Sequence, residues 1–251
     1  MVGTDLANVV NEAALASVRR GGPSVRACDF DEAIDRIQLG LKKEGRVMTE
    51  DEKRRVAFHE AGHALVALSM EHADPVHRVT IIPRSVGALG ATLQLPTEER
   101  YLMTREELRD RICVLFGGRV AEELACRDVS TGAQNDLERA TEMARHMVCR
   151  FGMSESLGPL TFGQSQRSPF LAIESGDARN YSEETARLID HEIKSLLESE
   201  YERARRNLQT RRSALDAIAK ELLVHETLQR HELESLANQA PRTLAKPSAV
   251  A

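Results

Sequence analysis

Two histidines and a glutamate at positions 59–63 have a spacing that suits metal chemistry. In the stretch Phe58-His59-Glu60-Ala61-Gly62-His63-Ala64, the histidines are four positions apart. On a helix with 3.6 residues per turn, both imidazoles project from one face and can reach one metal ion. Bound zinc lowers the pKa of a water molecule to about 7, so Glu60 beside it can act as general base. The pattern predicts a zinc site for hydrolysis, with His59 and His63 as ligands.

These side chains need a helix to position them, and the surrounding residues predict one over 49–72. Thr49 and Glu52 form a capping box at its start, since each side chain can accept the other's backbone N–H. Gly62 lies between the two histidines, where glycine costs about 1 kcal/mol relative to alanine. We therefore expect another backbone to pack closely against it. The apolar face of the helix consists of Ala57, Ala61, Ala64, Leu65 and Leu68.

A catalytic zinc usually has three protein ligands and an open position for water, so a third ligand is needed. Val66 and Ser69 stand where the metzincin extension requires glycine and histidine. An acidic residue from a later helix must then complete the site, and the candidates are Asp136, Glu122 and Glu123. Asp136 follows the polar loop 130–135, where an aspartate could equally cap the next helix or complement its dipole. Spacing alone does not choose among the three.

Composition limits the class of protein. The 251 residues include 34 basic and 39 acidic side chains, a net charge of −5, which argues against a nucleic-acid partner. No apolar run is long enough to span a bilayer and no signal peptide is evident, so we expect a soluble chain. The four cysteines form no Cys-x-x-Cys pair and are expected to be reduced thiols.

The remaining pattern predicts a mainly α fold with a small β-sheet or hairpin beside the zinc helix. The predicted strands are 76–83 and 91–96, joined by a glycine-bearing turn. His72 and His77 near them are expected to be solvated or structural rather than metal ligands. Gly117-Gly118 should interrupt a helix that begins after Thr104, through close packing or a kink. We expect a mobile loop at 152–181. Other helices are predicted at 4–20, 30–40, 136–148, 182–207, 213–223 and 230–238.

Six longer motifs are spread over most of the chain. They are HEAGHA at 59–64, DPVHRVTIIPR at 74–84, GGRVAEEL at 117–124, STGAQNDLERAT at 130–141, FGMSESLGPL at 151–160 and SEETARLIDHEI at 182–193. In sequence and in order, these motifs resemble one family, FtsH, the membrane-anchored AAA+ zinc proteases. The N-terminal stretch GTDLANVVNEAAL at 3–15 is similar to the lid helix of the family's ATPase module.

The resemblance implies a set of site residues and a domain plan. Asp136 matches the family's third zinc ligand, which leaves supporting or packing roles for Glu122 and Glu123. Residues 1–45 would be the C-terminal part of an AAA+ lid, 46–239 the zinc metallopeptidase domain, and 240–251 a disordered tail. No Walker-type phosphate loop is present, so ATP would be a cofactor only in the full-length protein. Phe151 replaces a tryptophan common in the family, a conservative packing change.

The resemblance also implies an activity, a class of substrate, an oligomeric state and a cellular location. It implies a zinc-dependent endopeptidase for protein quality control, a homohexamer that cleaves unfolded or membrane-protein substrates. The full-length protein would be attached by a missing N-terminal segment to the cytoplasmic or matrix face of a membrane, whereas this fragment would be soluble. The strand near 89–95 is expected to bind extended substrate by strand addition. The alternatives are a non-catalytic hexamer-assembly module with structural zinc, and a nucleotide-sensing lid at 1–45.

Overall fold

Within residues 2–41, 48–83, 89–94, 102–163 and 181–239, the computed structural model contains eight α-helices and three short strands. The predicted mainly α fold with a small sheet is confirmed. The predicted tail at 240–251 lies outside the described residues, as does 164–180 of the predicted loop. The helices are α1 (Gly3–Arg19), α2 (Ala27–Leu39), α3 (Glu50–Ala67), α4 (Arg105–Cys126), α5 (Gln134–Cys149), α6 (Glu183–Thr210), α7 (Arg212–His225) and α8 (Arg230–Gln239).

Helix α3 carries the histidine pair and begins at the predicted capping box. The Thr49 hydroxyl accepts the Glu52 N–H at 3.2 Å, and the Glu52 carboxylate accepts the Thr49 N–H at 2.9 Å. The helix ends at Ala67, so the predicted end at residue 72 is wrong. The backbone N–H of Ser69 bonds to Val66 three residues earlier, and the Ser69 hydroxyl bonds to the carbonyl of Leu65. These bonds tighten the last turn and stop the helix.

The sheet has three antiparallel strands, β1 (Val76–Thr80), β2 (Ala91–Gln94) and β3 (Thr227–Gln229), in the order β2-β1-β3. The predicted hairpin of the first two strands is confirmed, although β1 ends three residues before Pro83. Strand β3 was not predicted. It pairs with β1 through Arg78–Gln229, Val79–Leu228 and Thr80–Thr227, so β2 lies at an edge of the described sheet.

Helices α3 and α4 cross with their backbones in contact. A Cβ on Gly62 would lie 2.3 Å from the carbonyl oxygen of Gly117, and one on Gly117 would lie 2.7 Å from the carbonyl oxygen of Gly62. The predicted close approach at Gly62 is confirmed. The predicted interruption at Gly117-Gly118 is wrong, because α4 runs through both glycines and the contact with α3 compensates for their low helix propensity. The main core around this crossing includes Leu65, Ile112, Leu208, Leu215 and Ile218.

Helices α1 and α2 form a small unit with its own core. Val9, Ala13 and Ala33 are buried between them, with Ile34 packed alongside. Helix α2 begins at Ala27, ahead of the predicted start at residue 30, because the carboxylate of Asp29 in its first turn accepts the N–H of Arg26 at 2.8 Å. The division of the chain at residue 45 stays a prediction.

A buried ion pair links this unit to the sheet. The guanidinium of Arg78 on β1 lies 2.6 Å from Asp35 on α2, and both side chains are 7% exposed. The same guanidinium donates to the carbonyl of Asp31. In the part of the chain that the structure describes, no helix is both long and apolar enough to cross a bilayer.

Candidate metal centre

The two histidines lie on the side of α3 that faces α4 and α5. His63 is buried and His59 is partly buried. Their Nε2 atoms are 3.0 Å apart, and the ring planes are nearly perpendicular. The predicted projection of both imidazoles toward one point is therefore present.

Asp136 is the acidic residue that the structure brings to this point. It lies in the first turn of α5, after a 3-10 turn at Thr131–Ala133. Its Oδ2 atom is 3.4 Å from Nε2 of His59 and 3.3 Å from Nε2 of His63. One potential ligand atom from each of the three side chains falls within 4.8 Å of the others. His72 and His77 are not part of this group.

The hydrogen bonds behind the two rings determine which nitrogens face the cluster. Nδ1 of His63 lies 2.8 Å from the carbonyl oxygen of Val114, and Nδ1 of His59 lies 2.7 Å from a carboxylate oxygen of Glu122. Both oxygens can only accept, so each Nδ1 carries a proton. In neutral rings both Nε2 atoms then present lone pairs to each other and to Asp136. Three electron-rich atoms that converge in this way fit a metal cation.

Without a metal ion, the lone pairs of the two Nε2 atoms and of the Asp136 carboxylate repel one another. Protonation of His59 relieves this repulsion. Burial lowers the pKa of His59, but its hydrogen bonds to Asp136 and Glu122 outweigh that effect and raise the pKa to about 10. Burial raises the pKa of Asp136, but hydrogen bonds from both histidines outweigh it and leave the pKa well below its usual range. In the metal-free protein, the proton on His59 therefore supplies the positive charge that a bound metal cation would otherwise supply.

Glu122 holds His59 from behind and ties it to the loop that leads to Asp136. Its side chain is 1% exposed and accepts hydrogen bonds from His59, from Arg55 at 3.3 Å and from the backbone N–H of Ser130 at 3.0 Å. Burial acts to raise the pKa of Glu122, but these hydrogen bonds outweigh it and lower the pKa. Because Glu122 contacts Nδ1 of the ring, it orients His59 without facing the cluster.

Glu123 points to a different part of the structure. Its carboxylate accepts the hydroxyl proton of Tyr201 and lies 3.5 Å from Arg205, both on α6. It contacts neither histidine. Of the three acidic candidates in the sequence, the structure places one at the cluster, one behind His59 and one at the α4–α6 contact.

Gly118 provides the space that the imidazoles occupy. A Cβ at this position would lie 2.5 Å from both Cε1 of His59 and Nε2 of His63, and 2.6 Å from Nε2 of His59. The sequence pattern of Gly117-Gly118 predicted close packing or a kink, and we did not expect Gly118 to lie at the histidines. The sequence distance between the histidines and Gly117-Gly118 could not predict this contact, because it joins two different helices.

Glu60 lies beside the cluster in an enclosed position. Its side chain is buried, and one carboxylate oxygen, Oε2, accepts the hydroxyl proton of Thr92 on β2 at 2.8 Å. Burial raises the pKa of Glu60, while charge on His59 and His63 and the Thr92 hydrogen bond oppose that shift. Glu60 was predicted from its motif, whereas Thr92 was not, because nothing in the sequence around Thr92 indicates its contact with Glu60.

The model of peptidase family M41 matches residues 46–236, which is most of the chain. The chain belongs to peptidase family M41.

Relatives named ATP-dependent zinc metalloprotease FtsH support the same placement. The chain is 53% identical to the one from Burkholderia pseudomallei over 243 residues, which cover 96% of this chain and 36% of the relative. It is 52% identical to that of Syntrophobacter fumaroxidans, with 98% and 38% covered, and 48% identical to that of Thermotoga maritima, with 95% and 39% covered. The resemblance to FtsH is confirmed. The chain spans less than two-fifths of the length of these M41 relatives.

Proposed function

We propose that this chain is the zinc-dependent endopeptidase part of a longer, ATP-dependent protease that hydrolyses unfolded polypeptides. One observation carries the proposal: Nε2 of His59, Nε2 of His63 and Oδ2 of Asp136 converge beside the buried carboxylate of Glu60. Membership of family M41 and the names of the relatives support it.

In this proposal the three converging side chains hold Zn²⁺, and Glu60 is the general base. Zinc held by three protein ligands supplies a Lewis acid that acidifies a water molecule and polarises a carbonyl group. Glu60 accepts a proton from the attacking water and passes it to the nitrogen of the leaving amine. Its raised pKa favours this task, because a base works best when its pKa approaches the working pH. Glu122 fixes the ring of His59 throughout.

The donor set favours catalytic over structural zinc. Structural zinc is almost always held by four protein ligands, whereas the group found among the described residues has three. A non-catalytic assembly module is therefore the weaker alternative. A nucleotide-sensing role for α1 and α2 has no specific observation in its favour.

We further propose that the edge strand β2 binds extended substrate by strand addition. Replacing Ala91, the first residue of β2, by proline removes a backbone N–H and fixes φ, so it should weaken cleavage of a peptide while leaving bound zinc unchanged. Cleavage at the wild-type rate by Ala91→Pro would contradict substrate binding at this edge.

The same proposal covers the longer protein. In this proposal the longer protein is a homohexamer attached to the cytoplasmic or matrix face of a membrane. ATP hydrolysis in the longer protein feeds polypeptide to the peptidase sites. Sedimentation of this chain, whose monomer mass is 27.9 kDa, tests whether these residues alone assemble. A mass six times larger would support self-assembly through this part, and a monomer would assign assembly to the rest of the protein.

Zinc content and casein hydrolysis test the activity itself. The purified chain should contain about one zinc per molecule, and Asp136→Ala should lose most of it. Glu60→Gln should keep its zinc and lose hydrolysis, because the amide cannot accept the proton. Retention of zinc by Asp136→Ala would contradict the assignment of Asp136 as the third ligand. Absence of zinc from the wild type after refolding with the metal would overturn the peptidase proposal.

A further inference from the structure

Thr92 makes a specific contact with the carboxylate that the proposed reaction uses. Its hydroxyl oxygen lies 2.8 Å from Oε2 of Glu60 and 3.3 Å from the backbone carbonyl oxygen of the same residue. A hydroxyl has one proton to donate, and the shorter distance favours the carboxylate as its acceptor. Strand β2 thus contributes a hydrogen bond to the second half of α3, at the residue next to His59.

The neighbouring glycine confines the same carboxylate from another direction. A Cβ on the buried Gly90 would lie 2.8 Å from both Cγ and Oε1 of Glu60, and 2.9 Å from the carbonyl oxygen of Thr80. The backbone of this segment therefore touches the Glu60 side chain, as the Thr92 hydroxyl does. Contact with Gly90 restricts where the side chain lies, and the hydroxyl restricts how the carboxylate is turned.

The two carboxylate oxygens have different surroundings. Oε2 accepts from Thr92, whereas Oε1 has no hydrogen-bond donor among the residues that the structure describes. A carboxylate on a flexible side chain loses rotational freedom when one oxygen is bonded. With Oε2 engaged, Oε1 is the oxygen left to accept a proton from water.

We propose that Thr92 is a positioning residue for Glu60, and that its hydroxyl turns the carboxylate so that Oε1 takes up the proton during hydrolysis. This inference rests on the function proposed above. It assigns to the edge strand a role besides substrate binding, because the same strand that would pair with a peptide also orients the base. Thr92 contacts neither His59, His63 nor Asp136, so its effect on hydrolysis should be separable from metal binding.

Two substitutions separate the hydroxyl from the shape of the side chain. Thr92→Val keeps the β-branched shape and removes the donor, whereas Thr92→Ser keeps the donor and removes a methyl group. Losing a hydrogen bond to a charged reacting group should lower the reaction rate by about 10-fold to 100-fold when that bond orients the group. We expect Thr92→Val to lower kcat by that factor with KM and zinc content unchanged, and Thr92→Ser to stay within about threefold of the wild type.

The experiment measures kcat and KM on a quenched fluorescent peptide, with zinc per chain measured on the same samples. Thr210→Val is the matched control, since it removes a hydroxyl that bonds only to its own helix, at the carbonyl of Arg206. Thr92→Ala repeats the removal of the hydroxyl if Thr92→Val is recovered without zinc. A wild-type kcat in the zinc-loaded valine or alanine variant would overturn the inference. An equal loss in Thr92→Ser and Thr92→Val would also overturn it, since shape rather than the hydroxyl would then be responsible.

Glu60→Gln, measured in parallel, separates failure of this inference from failure of the proposed function. If Glu60→Gln is inactive while Thr92→Val matches the wild type, the peptidase proposal stands and the role of Thr92 is refuted. If Glu60→Gln cleaves at the wild-type rate, Glu60 is not the base and both proposals fall.

Discussion

Replacing Gly118 by alanine should weaken metal binding more than it weakens the fold. The new Cβ would lie 2.5 Å from Cε1 of His59 and from Nε2 of His63, where ordinary contacts begin at 3.4 Å. One or both rings must therefore move by about 0.9 Å, whereas metal–ligand distances tolerate only about 0.2 Å. We expect the affinity for zinc to fall by at least about 10-fold to 100-fold, the range found when groups supporting metal ligands are disturbed.

The effect of the same change on folding is smaller because two contributions oppose each other. Overpacking a well-filled site costs about 1–3 kcal/mol, and replacing glycine by alanine within a helix returns about 1 kcal/mol. The free energy of unfolding of the metal-free protein should therefore fall by only about 0–2 kcal/mol. Urea denaturation in the presence of chelator measures this quantity.

Competition with a chromogenic chelator measures the affinity for zinc in Gly118→Ala. Gly3→Ala is the control, because it adds the same methyl group to a helical glycine that has nothing within 4 Å of the new atom. The control should bind zinc as the wild type does. Wild-type affinity in Gly118→Ala would refute the reasoning, since the rings would then have to occupy other positions when the metal is bound.

Two further predictions concern packing and thiol chemistry. Gly62→Ala places a Cβ 2.3 Å from the carbonyl oxygen of Gly117, so α3 and α4 must move apart. Urea denaturation should show that the free energy of unfolding falls by about 1–3 kcal/mol. An unchanged free energy of unfolding would contradict the close crossing. Burial raises the pKa of the Cys113 thiol to about 11, so iodoacetamide at pH 8 should label the exposed Cys28 in the folded protein and Cys113 only in urea. Peptide mass spectrometry compares the two, and equal labelling rates in the folded protein would contradict the burial of Cys113.

Local signals explain which parts of the fold could be predicted. The capping boxes at Thr49 and Thr104 both form, because each depends on residues three positions apart. Ser182 caps α6 for the same reason. Strand β3 could not be predicted, because three residues are too short for a pattern and its partner β1 lies about 150 positions earlier in the chain. The long-range pairing, rather than local propensity, makes it a strand.

The residues of the candidate metal centre also fall into two groups, those that the local sequence predicts and those that depend on packing between helices. The histidines and Glu60 belong to one short motif, so the helix alone predicts their arrangement. Glu122 and Glu123 are adjacent and chemically alike, yet they face different neighbours because adjacent helical residues are about 100° apart around the axis. Only the packing of α4 shows that Glu122 reaches His59 and Glu123 reaches Tyr201. The use of Gly118 likewise depends on the α3–α4 crossing.

The ion pair between Arg78 and Asp35 has a consequence for how the N-terminal helices can detach from the sheet. Deleting one partner would leave a buried charge alone, which is costly, but separating the two units lets water reach both charges. Hydration then recovers much of the attraction that is lost. Because the N-terminal helices and the sheet belong to separate hydrophobic cores, substitution of either partner should cost more free energy than exposure of the intact ion pair to water.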